Sequence, residues 1–327
     1  MKNTEAVAHA WGHGEFVALL VCPVCQSDLD FAKDRIYCSN PACSRSKSGF
    51  PIIKGIPALI DFDRSVVGEE YLITAAGQST VSRGGSVWRK LSYLTSGMFG
   101  LQAAMDRRTG TFLDCVRSTF GGDRTVLIVG GGNLSPKSPF RKASDLRLVS
   151  CDIYCSAATD VLADGHFLPF RSASFDGVAA EAVLEHVLDP ATVVSELRRV
   201  LKPGGIVYAE TSFMQQVHEA AFDFTRFTHS GHRWLFRDFD EIHSGAADGP
   251  GNVLIWSTRY LVRGLARTKL AGIFATLIVL WMRLFDRLIP EAFAIDSTSA
   301  VFFIGRKGEN SLGPKDIISY YRGAGRR

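Results

Sequence analysis

The sequence predicts an α/β protein built on a mostly parallel sheet, and three observations predict it. First, apolar runs recur between turn signals: Thr125-Val126-Leu127-Ile128-Val129 runs into Gly130-Gly131-Gly132, residues 146–151 run into Asp152, and shorter runs follow Phe175 and Gly205. Runs of four to six apolar residues suit strands covered on both faces. Second, Val187, Val193, Val194, Leu197, Val200 and Leu201 fall on one helical face. Third, Pro203-Gly204-Gly205 is expected to stop that helix and turn the chain into another strand. Strand, turn and helix in alternation mean a parallel sheet, with ligands bound beyond the carboxyl ends of its strands.

The chain has 327 residues, 46% of them hydrophobic and 21% charged, which allows two domains and a sizeable core. A net charge of +4 is too small to argue for nucleic acid without a basic stripe. Residues 1–9 lack an apolar signal core, so nothing suggests secretion. Four of the seven cysteines stand at metal spacing, which suits a reducing compartment, and the cytoplasm is the expectation.

Residues 1–62 read as a small metal module. Cys22 and Cys25 form a C-x2-C knuckle, and Cys38 and Cys43 follow as C-x4-C. Four thiolates from two tight turns close a tetrahedral zinc site, which stabilises a module too small for its own core. Such a site is structural and has no open position for chemistry. Cys115, Cys151 and Cys155 make no second metal set and read as small core residues. Residues 63–122 read as a helical linker or lid, with Trp88 and Phe99 among its packing residues. Residues 123–309 hold the α/β domain, with a hydrophobic helical insertion at about 252–290. Residues 310–327 read as a mobile tail.

Residues 212–236 follow the strand that ends near Glu210 and are dense in histidine, arginine, acidic and aromatic residues. A parallel sheet puts its site there. Phe213, Asp223, Arg226 and Phe227 are candidate ligand-binding residues. His186, His218 and His229 are candidate general bases, since imidazole titrates near neutral pH. A structural Asp–Arg–His network is the alternative for each. In the insertion, residues 270–282 carry no charge, and Arg263, Arg267, Lys269, Arg283 and Arg287 flank them. That run is short of the ~20 residues needed to span a bilayer. Two uses stay open: a buried or dimer-forming helix, or a segment lying on a membrane surface.

These residues resemble a known family. The glycine loop, Asp152, Asp164 before Leu168-Pro169-Phe170, Phe175-Asp176, Leu184-Glu185-His186-Val187 and Leu201-Lys202-Pro203-Gly204-Gly205 stand in the order found in class I S-adenosylmethionine-dependent methyltransferases of the type 11 kind. The resemblance implies a Rossmann-like seven-stranded, mostly parallel sheet with helices on both faces, Ala300–Lys307 being its antiparallel seventh strand. It implies S-adenosylmethionine held by Gly130, Gly131, Gly132 and Asn133, by Asp152 at the ribose hydroxyls, by Asp164 at the adenine amino group, and by Glu181 and Ala182 near the methyl group. Two positions depart from the family: Ile128 stands where it often has an acid, and Leu134 stands at its third glycine.

Two further resemblances complete the reading. Cys22-Pro23-Val24-Cys25, taken with residues 49–60, resembles the zinc ribbons that activate tRNA, rRNA and protein methyltransferases. His218, Asp223, Arg226, Phe227 and Thr228 resemble a methyltransferase subgroup often met in bacterial polysaccharide biosynthesis. The expected function is methyl transfer to a sugar or lipid-linked glycan, in the cytoplasm or at the inner face of the membrane. The hydrophobic segment at 259–289 would meet either a second copy of the chain or the membrane. An RNA methyltransferase that uses the ribbon for recognition, and a non-catalytic scaffold, are the alternatives.

Overall fold

The computed structural model of the chain describes residues 14–74, 101–134 and 137–325. Trp88 and Phe99 lie outside the described residues. One compact unit is made from residues 14–74, 113–134, 137–180 and 189–207, and a second from 101–112, 181–188 and 208–325.

After a short helical turn at Gly14–Val17, four short strands, β1 (Leu29–Phe31), β2 (Arg35–Cys38), β3 (Phe50–Ile53) and β4 (Ile56–Pro57), pair antiparallel in that order. Gly49 enters β3 with φ +64, and a Cβ there would meet the Tyr37 ring at 2.9 Å, so glycine is required. This sheet is too small to enclose a core of its own. Ile53, Ala58 and Ile60 instead pack with Val67 and Leu72 against Leu162 of the α/β domain. Backbone bonds join the two parts: Val21 N–H donates to Pro169 O at 3.0 Å, and Arg171 N–H donates to Leu19 O at 2.8 Å. Helix α1 (Glu69–Thr74) follows, its Glu69 accepting from Arg35 at 2.7 Å and from Arg45 at 3.2 Å.

Helix α2 (Leu101–Thr119) leads into β5 (Thr125–Val129), β6 (Arg147–Asp152), β7 (Val161–Leu162) and β8 (Phe175–Glu181). Parallel pairing joins β5 to β6, β5 to β8 and β6 to β7. Helix α3 (Pro190–Val200) is capped by Asp189, which accepts from the N–H groups of Ala191 and Thr192. It buries Val193, Val194, Leu197 and Val200, the apolar face read from the sequence. Its end differs from expectation. The helix stops at Val200, strand β9 (Leu201–Ser212) starts at once, and Pro203-Gly204-Gly205 lies inside that strand with Gly204 at φ +74. A proline tolerated near a strand's start explains the placement.

Helix α4 (His229–Leu235), β10 (Phe239–Ala246), α5 (Pro250–Ala266), α6 (Lys269–Val279), a 3-10 segment Leu280–Arg287, α7 (Glu291–Ile295), β11 (Ala300–Lys307) and α8 (Pro314–Ser319) complete the chain. The sheet order is β10-β11-β9-β8-β5-β6-β7, with β10 and β11 antiparallel. This is the seven-stranded, mostly parallel sheet expected from the sequence.

In the tail, read from the sequence as mobile, α8 forms with Pro314 in its first turn. Tyr320 bonds Ser244 at 2.7 Å and Arg322 pairs with Glu241 at 2.9 Å. The insertion exposes much of its apolar surface in the single chain. Leu265 is 77% exposed, Phe274 69% and Leu288 77%. No helix among the described residues is long and apolar enough to cross a membrane.

Candidate functional site

Strands β5, β6 and β8 end level, Val129 pairing with Cys151 on one side and Ala180 on the other. Gly130 leaves β5 with φ +75, a conformation glycine enters without strain, and the 3-10 turn Gly131–Asn133 follows. The next two glycines answer to side chains of β6. A Cβ on Gly131 would meet Ser150 Oγ at 2.2 Å, and one on Gly132 would meet Asp152 Oδ2 at 2.7 Å. Asp152 is 8% exposed. Its Oδ2 accepts from Gly132 N–H at 2.8 Å and its Oδ1 from Tyr154 N–H at 3.0 Å. Gly132 therefore makes room for Asp152, and Asp152 fixes the loop.

Asp164 caps the 3-10 turn Gly165–Phe167. Its Oδ1 accepts from His166 N–H at 3.0 Å and lies 2.6 Å from His166 Nδ1, while Oδ2 accepts from Ser65 Oγ at 2.5 Å. Burial opposes its charge, but the bonds from His166 and Ser65 outweigh that and hold the carboxyl below the usual range. Arg64 lies over the Phe167 ring, 3.8 Å from its centre. Residues just after the ribbon thus reach the acid that the resemblance assigns to adenine. No spacing in the sequence marks Ser65 for this role.

Glu181 is the last residue of β8, and its Oε1 accepts from Thr109 Oγ1 at 2.8 Å. Burial pushes its carboxyl up to about 7, with Glu210 adding to the rise and Thr109 opposing it. Ala182 follows in the left-handed region at φ +52, its N–H donating to Glu210 O at 2.9 Å. A non-glycine residue held there stores strain of roughly 1 kcal/mol. Glu210 accepts from Arg108 Nη2 at 2.8 Å and from the Tyr208 hydroxyl at 3.1 Å. Burial pushes Glu210 up as well. Sequence reasoning missed Arg108, Thr109, Tyr208 and Glu210. Thr109 and Glu181 are 72 positions apart, and no local pattern links them.

Residues 212–236 do converge with His186. The rings of His186 and His218 meet edge to face, 4.8 Å between centroids. Asp223 accepts from His218 N–H at 2.8 Å and is clamped by Arg226, Nη2 lying 2.9 Å from Oδ2. Burial opposes the Asp223 charge, but Arg226 and the His218 N–H hold its carboxyl down to about 2. Phe213 N–H donates to Ser299 O at 2.7 Å and Phe227 N–H to Ser212 O at 3.2 Å, so both are fixed by backbone. An open cleft of about 530 Å³ is lined by Gln215, Gln216, Val217, Asp223, Phe224, Thr225, Arg226 and Tyr260. His229 does not join this group. It is 4% exposed, stacks on Tyr320 and bonds Ser244 Oγ at 3.1 Å, and burial pushes its imidazole down to about 4. It is a neutral packing residue rather than a candidate base.

The four ribbon cysteines are free thiols gathered in one cluster. Cys22 Sγ lies 3.9 Å from Cys43 Sγ, and Cys25 Sγ lies 3.4 Å from Cys38 Sγ. A zinc tetrahedron with Zn–S of ~2.3 Å has edges of about 3.8 Å, so the cluster fits zinc. Burial pushes the Cys38 thiol up to about 11. A nearby cation would relieve that cost.

Residues 132–209 match the family described as methyltransferase domain. A 44-residue stretch is 50% identical to an uncharacterised 37.1 kDa protein of transposon Tn4556 from Streptomyces fradiae, covering 14% of this chain and 13% of that protein's length. Among solved structures, the complex of the Haloferax volcanii Trm112 methyltransferase activator with its methyltransferase aligns at TM-score 0.39 and 18% identity, over 63% of this chain and 93% of that one. A sarcosine dimethylglycine methyltransferase from Galdieria sulphuraria aligns at TM-score 0.42 and 12% identity, over 63% and 85%. The family match thus spans the glycine turn after β5 through most of β9.

Proposed function

We propose that the protein transfers a methyl group from S-adenosylmethionine to a hydroxyl of a sugar or lipid-linked glycan. The observation that carries the acceptor class is the cleft in the segment after β9. Gln215, Gln216, Asp223, Thr225 and Arg226 line it together with Phe224 and Tyr260. Paired polar and aromatic groups of that kind suit a polyhydroxyl ligand. The Asp223–Arg226 clamp keeps the cleft's charges fixed.

S-adenosylmethionine, when bound, supplies an electrophilic methyl group that already carries its leaving group. The protein's task is alignment and removal of the acceptor proton. The glycine loop and Asp152 are the cofactor residues best supported by geometry, the carboxylate being held beside the loop. Asn133, Asp164, Glu181 and Ala182 are proposed cofactor residues on the family resemblance. His186 and His218 attend the acceptor hydroxyl, and the zinc ribbon supports the cofactor domain through Ser65 and Asp164. The exposed apolar face of α5 and α6 holds the protein at an anionic membrane surface, where a lipid-linked acceptor would be met.

The test is incubation of the zinc-loaded protein with methyl-labelled S-adenosylmethionine and glycan fractions from bacterial cells. Label in a lipid-linked or soluble glycan is the expected result. Label that RNase removes would move the reading to RNA. Label in no fraction, from a protein that still binds S-adenosylhomocysteine, would remove the glycan acceptor.

A further inference from the structure

Glu185 is 1% exposed and carries a carboxylate that is only half satisfied. Its Oε1 accepts from Ser212 Oγ at 2.6 Å and from Ser212 N–H at 3.3 Å. Its Oε2 is buried and has no hydrogen-bond partner. An unpaired buried carboxylate oxygen is costly, and native proteins supply a partner for it.

The two imidazoles beside it are oriented as ligands. His186 Nδ1 lies 2.7 Å from Phe222 O, and His218 Nδ1 lies 3.2 Å from Gln216 O and 3.4 Å from Asp223 Oδ2. Carbonyl and carboxylate oxygens accept, so each Nδ1 is the donor, which in the neutral ring leaves the Nε2 lone pair for a ligand. Imidazoles that ligate metals show this arrangement, one ring N–H given to a carbonyl or carboxylate and the other nitrogen left for the ion. One ligating atom from each of Glu185, His186 and His218 lies within 4.8 Å of the others. Opposed ligands of a first-row cation stand about 4.2 Å apart, so a bound ion would draw the three groups slightly together. The His218 side chain is 21% exposed. The backbone holds the two parts together, Glu185 O accepting from Phe224 N–H at 2.8 Å and Thr225 N–H at 3.2 Å.

We propose that Glu185, His186 and His218 form a site for one divalent first-row transition cation, with coordination positions left open for an oxygen ligand. Two imidazoles and one carboxylate suit manganese, iron, cobalt or zinc, and are too nitrogen-rich for calcium or magnesium. The site is separate in chemistry from the ribbon, whose four thiolates close around their ion. Its existence does not depend on the methyl-transfer reading. Its use does: a cation there would hold an acceptor hydroxyl and ease loss of its proton.

The experiment uses manganese, because a four-thiolate ribbon loaded with zinc does not exchange it for manganese. Manganese chloride is titrated into the zinc-loaded full chain, and the electron paramagnetic signal of the free ion is followed. Wild type is expected to bind one equivalent. Glu185→Gln and His218→Ala are expected to weaken binding at least tenfold, while Lys54→Ala, on the ribbon, leaves it unchanged. Circular dichroism confirms that each variant is folded, and should Glu185→Gln unfold, His218→Ala decides. No manganese bound by folded wild type overturns the site, and so does binding that survives the decisive substitution. S-adenosylhomocysteine titrated into the same samples reads the cofactor site separately, so loss of one reading is not mistaken for loss of the other.

Discussion

A carboxyl that ionises near pH 7 at the end of β8 ties stability to pH. Glu181 is raised from 4.5 to about 7, first by burial. Its protonated form fits the fold, so its contribution is complete below about pH 4.5 and is lost as pH rises through 7. Between pH 5 and 8 the wild type should therefore lose about 1–3 kcal/mol relative to Glu181→Gln, read from urea midpoints. Parallel curves for the two proteins would remove the buried-acid account. His229 and His232 act in the opposite sense, since burial lowers them to about 4 and about 3. Their contribution is complete above pH 6.5 and is lost as pH falls through 4, so His229→Gln should flatten the acid limb of the same curve. Asp152 carries a different expectation. Asp152→Ala removes the partner of Gly132 N–H as well as the proposed ribose acceptor, and S-adenosylhomocysteine affinity should fall roughly 10–100-fold by calorimetry. Affinity unchanged by the substitution would take Asp152 out of the cofactor site. Asp152 and the glycines were legible in the sequence because loop and acid follow two apolar runs in strict order. Arg108, Thr109 and Glu210 were not, because their meeting with Glu181 is a product of folding and leaves no spacing behind.

At the scale of elements, the ribbon and the cofactor domain share packing, and zinc should be felt in both. Ile53, Ala58 and Ile60 pack with Leu162 of β7, and the segment after β4 carries Ser65 to Asp164. If the four cysteines hold zinc as proposed, its removal would deprive β1 to β4 of that clamp. A chelator strong enough to release the ion should raise amide exchange across residues 14–62 and weaken S-adenosylhomocysteine binding several-fold. Exchange that rises with no change in affinity would make the ribbon an independent module. The strands of the α/β domain were legible because parallel strands, covered on both faces, read as unbroken apolar runs. The end of α3 was misplaced because Pro203-Gly204-Gly205 resembles a helix stop, while Leu201 had already turned extended. The tail was read as mobile from its glycine and arginine content; Tyr320 and Arg322 contact Ser244 and Glu241, partners about eighty residues away that composition does not reveal.

The chain as a whole carries a modest net charge of +4, and many of its exposed large apolar residues lie on α5, α6 and the segment after them. Leu261, Leu265, Leu270, Phe274, Ile278, Trp281 and Leu288 are all exposed on α5, α6 and the 3-10 segment after them. Arg259, Arg263, Arg267, Lys269 and Arg287 lie among them, and Asp286 is turned inward onto Gly251 N–H at 2.6 Å. Exposed apolar residues lying close in sequence to cations mark interaction sites, which supports the proposed membrane contact. A second copy would bring like charge against like charge. An anionic bilayer brings opposite charge, about 1 kcal/mol for each basic side chain near the surface, and takes up the apolar side chains without requiring a span. Sequence reading left this open because a charge-free run with basic flanks describes a buried or dimer-forming helix as well as a membrane-surface segment. Exposure in the single chain argues only against burial within it. The protein should co-float with vesicles containing phosphatidylglycerol and remain at the bottom of the gradient with phosphatidylcholine alone. Phe274→Glu should lower the floating fraction about tenfold, and 0.5 M salt should lower it less, because salt screens the cations but leaves the apolar contact in place. A protein that sediments as a dimer and floats with neither vesicle would assign the face to self-association instead.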